Sequence, residues 1–189
     1  MKNLVSFLNQ FSPLSERTLA LLEPAFVSGE LKKGDYFIRE GEYANEIAFL
    51  ELGAVRAFYI NNQGREYNKT FFTAPAIIGS YASLISGEKN RLPQQALSDC
   101  VVWRLRFDVI ERLSETNFEL ERLRRKIAEQ FFVWGEKKQL EMALLEAKDR
   151  YLIFKDEHPG LEDTIPQYHI ASYLGISPTQ LSRIRQKLS

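Results

Sequence analysis

The residues best placed to meet a partner lie in segment 164–189 of this 189-residue chain. It carries Arg183, Arg185 and Lys187 and neither Asp nor Glu, so it is basic within a chain whose formal charge is +0. Ile176, Leu181 and Ile184 would pack inward on a helix, leaving Thr179, Gln180, Ser182, Arg183, Gln186 and Lys187 outside. Hydroxyls, amides and cations with no carboxylate among them suit a phosphate backbone and the donor and acceptor code of a DNA major groove. Ser177 stands where that helix begins, and its first-turn N–H groups can meet a phosphate. Gln167 and Tyr168, one helix earlier, are expected on the other side of the groove. Arg185 and Lys187 read equally as backbone contacts and as solvated cations. A helical hairpin that only caps a domain would have the same lengths, and the missing acid favours the DNA reading.

Elsewhere the chain offers little chemistry. Its two histidines, His158 and His169, both follow the strand-rich region, which argues against a cupin-type enzyme with His ligands on barrel strands. No nucleophile and base pair or carboxylate cluster emerges from spacing, so neither an enzyme nor a metal site is expected. His169 is expected to be solvated or to face phosphate. The single Cys100 cannot form an internal disulfide and is too few for an iron–sulfur or cysteine-rich zinc site. Within Leu97–Trp103 it alternates as in a strand and reads as buried core, a haem ligand being the other use of such a thiol. With 44% hydrophobic and 26% charged residues and 25 Lys+Arg against 25 Asp+Glu, the whole chain is not a basic coat, so any nucleic-acid surface must be local. Residues 1–7 lack the features of a leader, and no apolar run approaches the ~18 residues of a membrane span. A cytoplasmic chain without membrane contact is expected.

These side chains need elements to hold them. A short N-terminal helix starting at Ser12-Pro13 or Ser15 precedes strands from about Phe26 to Arg106, with Gly34, Gly41 and Gly53 at breaks. Segment 54–72 reads as a hairpin looping through Asn61-Asn62-Gln63-Gly64. Strands so spaced suggest an antiparallel barrel or sandwich. From Phe107 to Lys155 there is one Gly and no Pro, and the pattern is helical. Thr116-Asn117-Phe118-Glu119 has capping-box form. Leu120, Leu123, Ile127, Phe131 and Trp134 then make an apolar stripe, while Phe132, Val133 and Leu140 lie off it. Two apolar faces point to a second copy of the helix as partner, the plainer alternative being that both are intrachain core. Two more capping boxes, Thr164 to Gln167 and Ser177 to Gln180, open two helices with Gly175 between them, a helix-turn-helix pattern. The division expected is an effector domain over 1–115, a dimerisation helix over 116–145 and a DNA-binding domain over 146–189. The fold class is α+β, an antiparallel jelly roll followed by helices.

The segment from Ile165 to Arg185, IPQYHIASYLGISPTQLSRIR, resembles the C-terminal reader of bacterial Crp/Fnr-type transcription regulators. Lys32-Lys33-Gly34-Asp35, Glu40-Gly41-Glu42 and Leu52-Gly53-Ala54-Val55-Arg56 resemble the spaced glycines of that family's cyclic-nucleotide-binding-like domain. The resemblance covers nearly the whole chain. It implies an effector-binding jelly roll, a dimer, a pseudo-palindromic double-stranded DNA operator and RNA polymerase as a further partner. Thr179 and Arg183 match its base-reading positions, although Pro178-Thr179 replaces the Arg-Glu pair of the cyclic-AMP-responsive members. Nucleotide-binding members also carry a Gly-Glu-Leu turn and an Arg-Ser or Arg-Thr pair. Here the turn is Gly79-Ser80-Tyr81-Ala82, and the arginine's place falls near Gln94-Gln95, leaving Arg91 as the nearest cation. Without a bidentate cation a cyclic phosphate loses roughly 1.5–3 kcal/mol, so cyclic AMP is not the expected ligand of the pocket formed by Gly79, Ser80, Tyr81, Ala82, Arg91, Gln94 and Gln95. The chain as given stops at Ser189, straight after the second helix, so a wing is expected to be absent or to lie elsewhere. A dimeric sensor that acts through protein contacts is the other reading.

Overall fold

The computed structural model describes residues 2–188; Met1 and Ser189, the outer ends of the first and last expected domains, lie outside the described residues. Two helices open the chain where one was expected: α1 (Lys2–Phe11) and α2 (Glu16–Leu22), the second capped by the Ser15 hydroxyl, which accepts from Thr18 N at 3.3 Å. Eight strands follow: β1 (Val27–Leu31), β2 (Tyr36–Ile38), β3 (Glu46–Leu52), β4 (Ala54–Ile60), β5 (Glu66–Thr73), β6 (Ala76–Ile78), β7 (Gln94–Ala96) and β8 (Cys100–Arg106), with helix α3 (Tyr81–Ser86) between β6 and β7. They form two antiparallel four-stranded sheets, ordered β1-β8-β3-β6 and β2-β7-β4-β5. The jelly roll is therefore present, and the expected hairpin is β4 and β5, in register from Ala54 with Thr73 to Ile60 with Glu66.

Alternation along the strands sends Val55, Leu50, Val102, Ala96 and Cys100 between the sheets. Cys100 is buried there as expected, and burial pushes its thiol pKa up. The residues between those on β4 and β7, Ala54, Arg56 and Gln95, with Leu97 just after β7, belong to the outer face of their sheet. That outer face is covered by helices of the C-terminal half.

After β8 come α4 (Phe107–Thr116) and the long α5 (Phe118–Leu144). The cap between them is Asn117, not Thr116: its Oδ1 accepts from Glu119 N and Leu120 N at 3.0 and 3.1 Å, while Thr116 closes α4. The apolar stripe of α5 divides. Leu120 and Leu123 are buried with Leu4, Leu8, Phe49 and Ile110, because α1 and α4 pack over the first turns of the helix, and Ile127 lies at the edge of that core. These two leucines are intrachain core and are withdrawn from the dimerisation face. Further along, Phe131 and Phe132 are 43% and 70% exposed, with Val133 and Leu140 also exposed and Trp134 half-buried.

The chain ends in α6 (Ala147–Glu157), α7 (Leu161–Thr164), α8 (Gln167–Tyr173) and α9 (Pro178–Leu188), and among the described residues no strand follows β8. These helices share one core with the barrel: Ala54, Phe71 and Leu97 pack with Tyr151, Phe154, Leu161, Ile165, Ile170, Ala171, Leu174 and Leu181. Among the described residues no helix is long and apolar enough to cross a membrane.

Two imidazoles lie in this junction. His158 rests against Phe71 and Phe154, with ring centroids 5.9 and 5.4 Å away, and His169 is 6% exposed. Burial, aided by Lys138 near one ring and Arg56 beside the other, lowers each to about 4. The folded state thus keeps both rings neutral, whereas the unfolded chain takes up their protons as pH falls through ~6.5. Stability is complete above that pH and declines toward pH 4, by up to roughly 3 kcal/mol per ring. Urea denaturation should therefore give a midpoint that drops between pH 7.5 and pH 5; a flat profile would contradict the burial of neutral histidines.

Candidate nucleic-acid interface

The turn between α8 and α9 follows from Gly175. Its φ of +69° is the left-handed conformation, and the amide of Ile176 then reaches back to Ala171 O at 3.0 Å. At the start of α9 the capping box forms as expected: Gln180 N donates to Ser177 Oγ at 3.2 Å, and Ser177 N donates to Gln180 Oε1 at 2.9 Å. Gln180 is therefore partly committed to its own helix. The other box does not form. Thr164 closes α7, its hydroxyl donating to Leu161 O at 3.0 Å, and Pro166 is the residue before α8, with no side-chain cap. Gln167 Nε2 donates to Glu162 O at 3.2 Å, so this side chain is turned back onto α7, whereas Tyr168 beside it is exposed.

Leu181 is buried and Ile176 and Ile184 are half-buried against the shared core, so the outward face of α9 is the one drawn from the sequence. Thr179, Ser182, Arg183, Gln186 and Lys187 are exposed on it, with Ser177 at its head. Arg185 is half-buried and close enough to Glu162 and Tyr151 to affect the ionisation of both, which places it toward its own chain. The helix pair is also held from behind. Arg150 Nη2 donates to Leu174 O at 2.8 Å and Nη1 donates to Leu145 O, covering the C-terminal ends of α8 and α5. Lys138 reaches Glu141 and Glu157 at 2.7 and 2.5 Å, clamping α5 to α6.

The barrel side of α8 holds residues that motif reading missed. Arg56, 4% exposed, lies over the Phe58 ring at 3.8 Å. Its Nε and Nη2 donate to Gln95 Oε1 at 3.1 and 2.7 Å, and its Nη1 meets Glu66 Oε2 at 2.5 Å and His169 Nδ1 at 3.2 Å. Asn68 Nδ2 donates to His169 O at 3.0 Å and also lies 3.2 Å from His169 Nδ1. Both neighbours of that nitrogen are donors, so it is the acceptor and the ring's proton is on Nε2. Asn68 N donates to Ser172 Oγ at 3.0 Å, adding a second bond to α8. His169 is thus a buried junction residue, neither solvated nor facing phosphate. Ring burial and the adjoining guanidinium both disfavour a charged imidazole here.

The expected effector residues do not converge as a set. Gln94 is buried; its Nε2 donates to Gly79 O and its Oε1 accepts from Gly79 N, both at 2.9 Å. Ser80 is buried at the head of α3, while Tyr81, Ala82 and Arg91 are exposed. Gln95 faces the other way, toward Arg56. The groups that would have to hold a cyclic phosphate are therefore a glycine already paired with an internal amide and an arginine lying at the surface. They do not fit it.

A two-sheet jelly roll joined by one long helix to a helix-turn-helix defines the class of chain. Residues 29–117 match the family described as Cyclic nucleotide-binding domain. Over 97 residues, 51% of this chain, it is 29% identical to the transcriptional activator protein Anr of Pseudomonas protegens, and that match spans only 38% of the relative's length. The fold matches FixK2 from Bradyrhizobium japonicum with a TM-score of 0.73 at 21% identity, covering 86% of this chain and 84% of that one. It matches a Eubacterium rectale protein assigned to the crp/fnr family of transcriptional regulators equally well, at 0.73 and 15% identity over 94% and 87% of the two chains. In fold and in the order of its elements the chain is similar to these proteins.

Cyclic AMP should bind this chain with a Kd weaker than ~10 μM, equivalent to about −7 kcal/mol. Titration calorimetry measures it directly, and a Kd at or below that value would show that other groups supply the phosphate clamp.

Proposed function

We propose that the chain is a homodimeric, sequence-specific DNA-binding transcription regulator, cytoplasmic, with α9 as the helix that enters the major groove. The acid-free exposed face of α9 is the observation that carries this reading, since donors and cations stand there on a helix whose apolar side is fixed in the core. Ser177 and the first-turn amides would meet phosphate, and Thr179, Ser182 and Arg183 would face base edges. A small effector other than a cyclic nucleotide, sensed by the barrel, would gate the operator, and RNA polymerase would be the further partner. That the similar proteins include a transcriptional activator and a protein assigned to the crp/fnr family of transcriptional regulators supports the general kind of function.

Arg183→Ala should cost ~1–3 kcal/mol on the cognate duplex and relax preference at one base pair per half-site. Lys187 lies a helical turn further from the head of α9, and Lys187→Ala should weaken all duplexes alike and lower the salt slope by about one unit per half-site. Binding titrations on cognate and scrambled duplexes at several salt concentrations separate the two. Equal loss on both duplexes for Arg183→Ala would move base reading to Thr179 or Ser182. No duplex binding at all would favour the sensor that works through protein contacts.

The two-fold partner would be the exposed stretch of α5 around Phe131, Phe132, Val133 and Leu140, with Trp134 and Ile127 at its margin. Phe131→Asp would place an unpaired charge in that seam at a cost of several kcal/mol. Sedimentation should show a dimer for the native chain and a monomer for the variant at micromolar concentration; a native monomer would remove the claim.

A further inference from the structure

Apolar contacts hold the helix pair on the barrel, but they are individually non-directional. Hydrogen bonds have direction, and those across this junction run chiefly from two neighbouring barrel residues, Arg56 and Asn68, to α8. Arg56 and Gln95 are opposite each other on β4 and β7, with Gln95 Nε2 in turn anchored on Gly34 O at 3.0 Å. On the helix side Arg56 reaches His169 Nδ1, while Asn68 holds the His169 carbonyl and the Ser172 hydroxyl. Nδ1 and the carbonyl of one residue, with a hydroxyl one turn further on, fix both the height and the rotation of α8. Because α9 is tied to α8 by a four-residue turn and a shared core, the direction in which Arg183 and Thr179 face is then set from the barrel.

We propose that Arg56, Gln95 and His169 are positioning residues for DNA binding: they form the joint that orients the reading helix, although none of them stands on its exposed face. The proposal rests on the DNA-binding reading above. It differs from ordinary core packing in one respect, since what it needs from His169 is an acceptor at the position of Nδ1 and not merely bulk.

That difference supplies the test. Asn places its side-chain oxygen close to the position of Nδ1, whereas Leu fills the space and accepts nothing. On a duplex selected by the native chain from a random-sequence pool, His169→Leu should bind about tenfold more weakly or worse, and His169→Asn should recover to within about threefold of the native affinity. Gln95→Leu, which removes the acceptor from the barrel side, should match His169→Leu and serves if the latter does not fold. Hydrogen exchange on the DNA-free chain reads the joint independently: amides of α8 and α9 should exchange faster in His169→Leu while those of β4, β5 and β7 do not change. Native affinity in folded His169→Leu or Gln95→Leu, or no rescue by Asn, would overturn the proposal. So would exchange that is unchanged or that rises throughout the molecule. If the native chain selects no duplex, the DNA reading fails and the exchange result alone decides whether the joint exists.

Discussion

A guanidinium cannot be taken out of water cheaply, and the position of Arg56 at 4% exposure constrains everything packed around it. Its charge is met by Glu66, its fork by the Gln95 amide, its face by Phe58 and its last direction by His169. Three of these come from the barrel and one from α8. The junction is therefore completed only when the helix pair is seated, and the neutral state of His169 is the consequence: with two donors aimed at Nδ1, a protonated ring would face a cation. The same seating buries Phe71, Phe154 and Leu181 in one core, so the barrel and the helix pair form a single packed unit.

Much of the architecture was legible because it is periodic. The β4 and β5 hairpin, the change from strand to helix at Phe107 and the helix pair around Gly175 all follow from alternation, composition and turn chemistry. Local exchange of one cap for another was not legible. Thr116 and Asn117 are both good caps, and Asn117 wins because Thr116 is already helical in α4. The Thr164 box fails for a related reason, α7 having absorbed its first residue. The stripe of α5 could not reveal that Leu120 and Leu123 face α1 and α4, since periodicity gives the face of a helix but not what covers it. The junction left one faint signal: Arg56 is the single charge in the run Ala54-Val55-Arg56-Ala57-Phe58-Tyr59-Ile60, and its partner at position 169 is far away in the chain.

The segment around Gly79 is held together by its own chain. An internal amide from Gln94 satisfies both backbone groups of Gly79, and Arg91 lies at the surface. Gln94 and Gln95 are neighbours on one strand facing opposite sides, one toward this segment and the other toward the junction.

The central claim, that two copies of α9 read DNA from a dimer positioned by the barrels, is tested most directly by selection of bound duplexes from a random-sequence pool followed by sequencing. The account predicts enrichment of a pseudo-palindrome whose half-site centres lie one helical turn apart, about 10–10.5 base pairs, or a multiple of it. Enrichment of a single unpaired site would contradict the dimer, and no enrichment over the starting pool would contradict the assignment of α9 as a DNA reader.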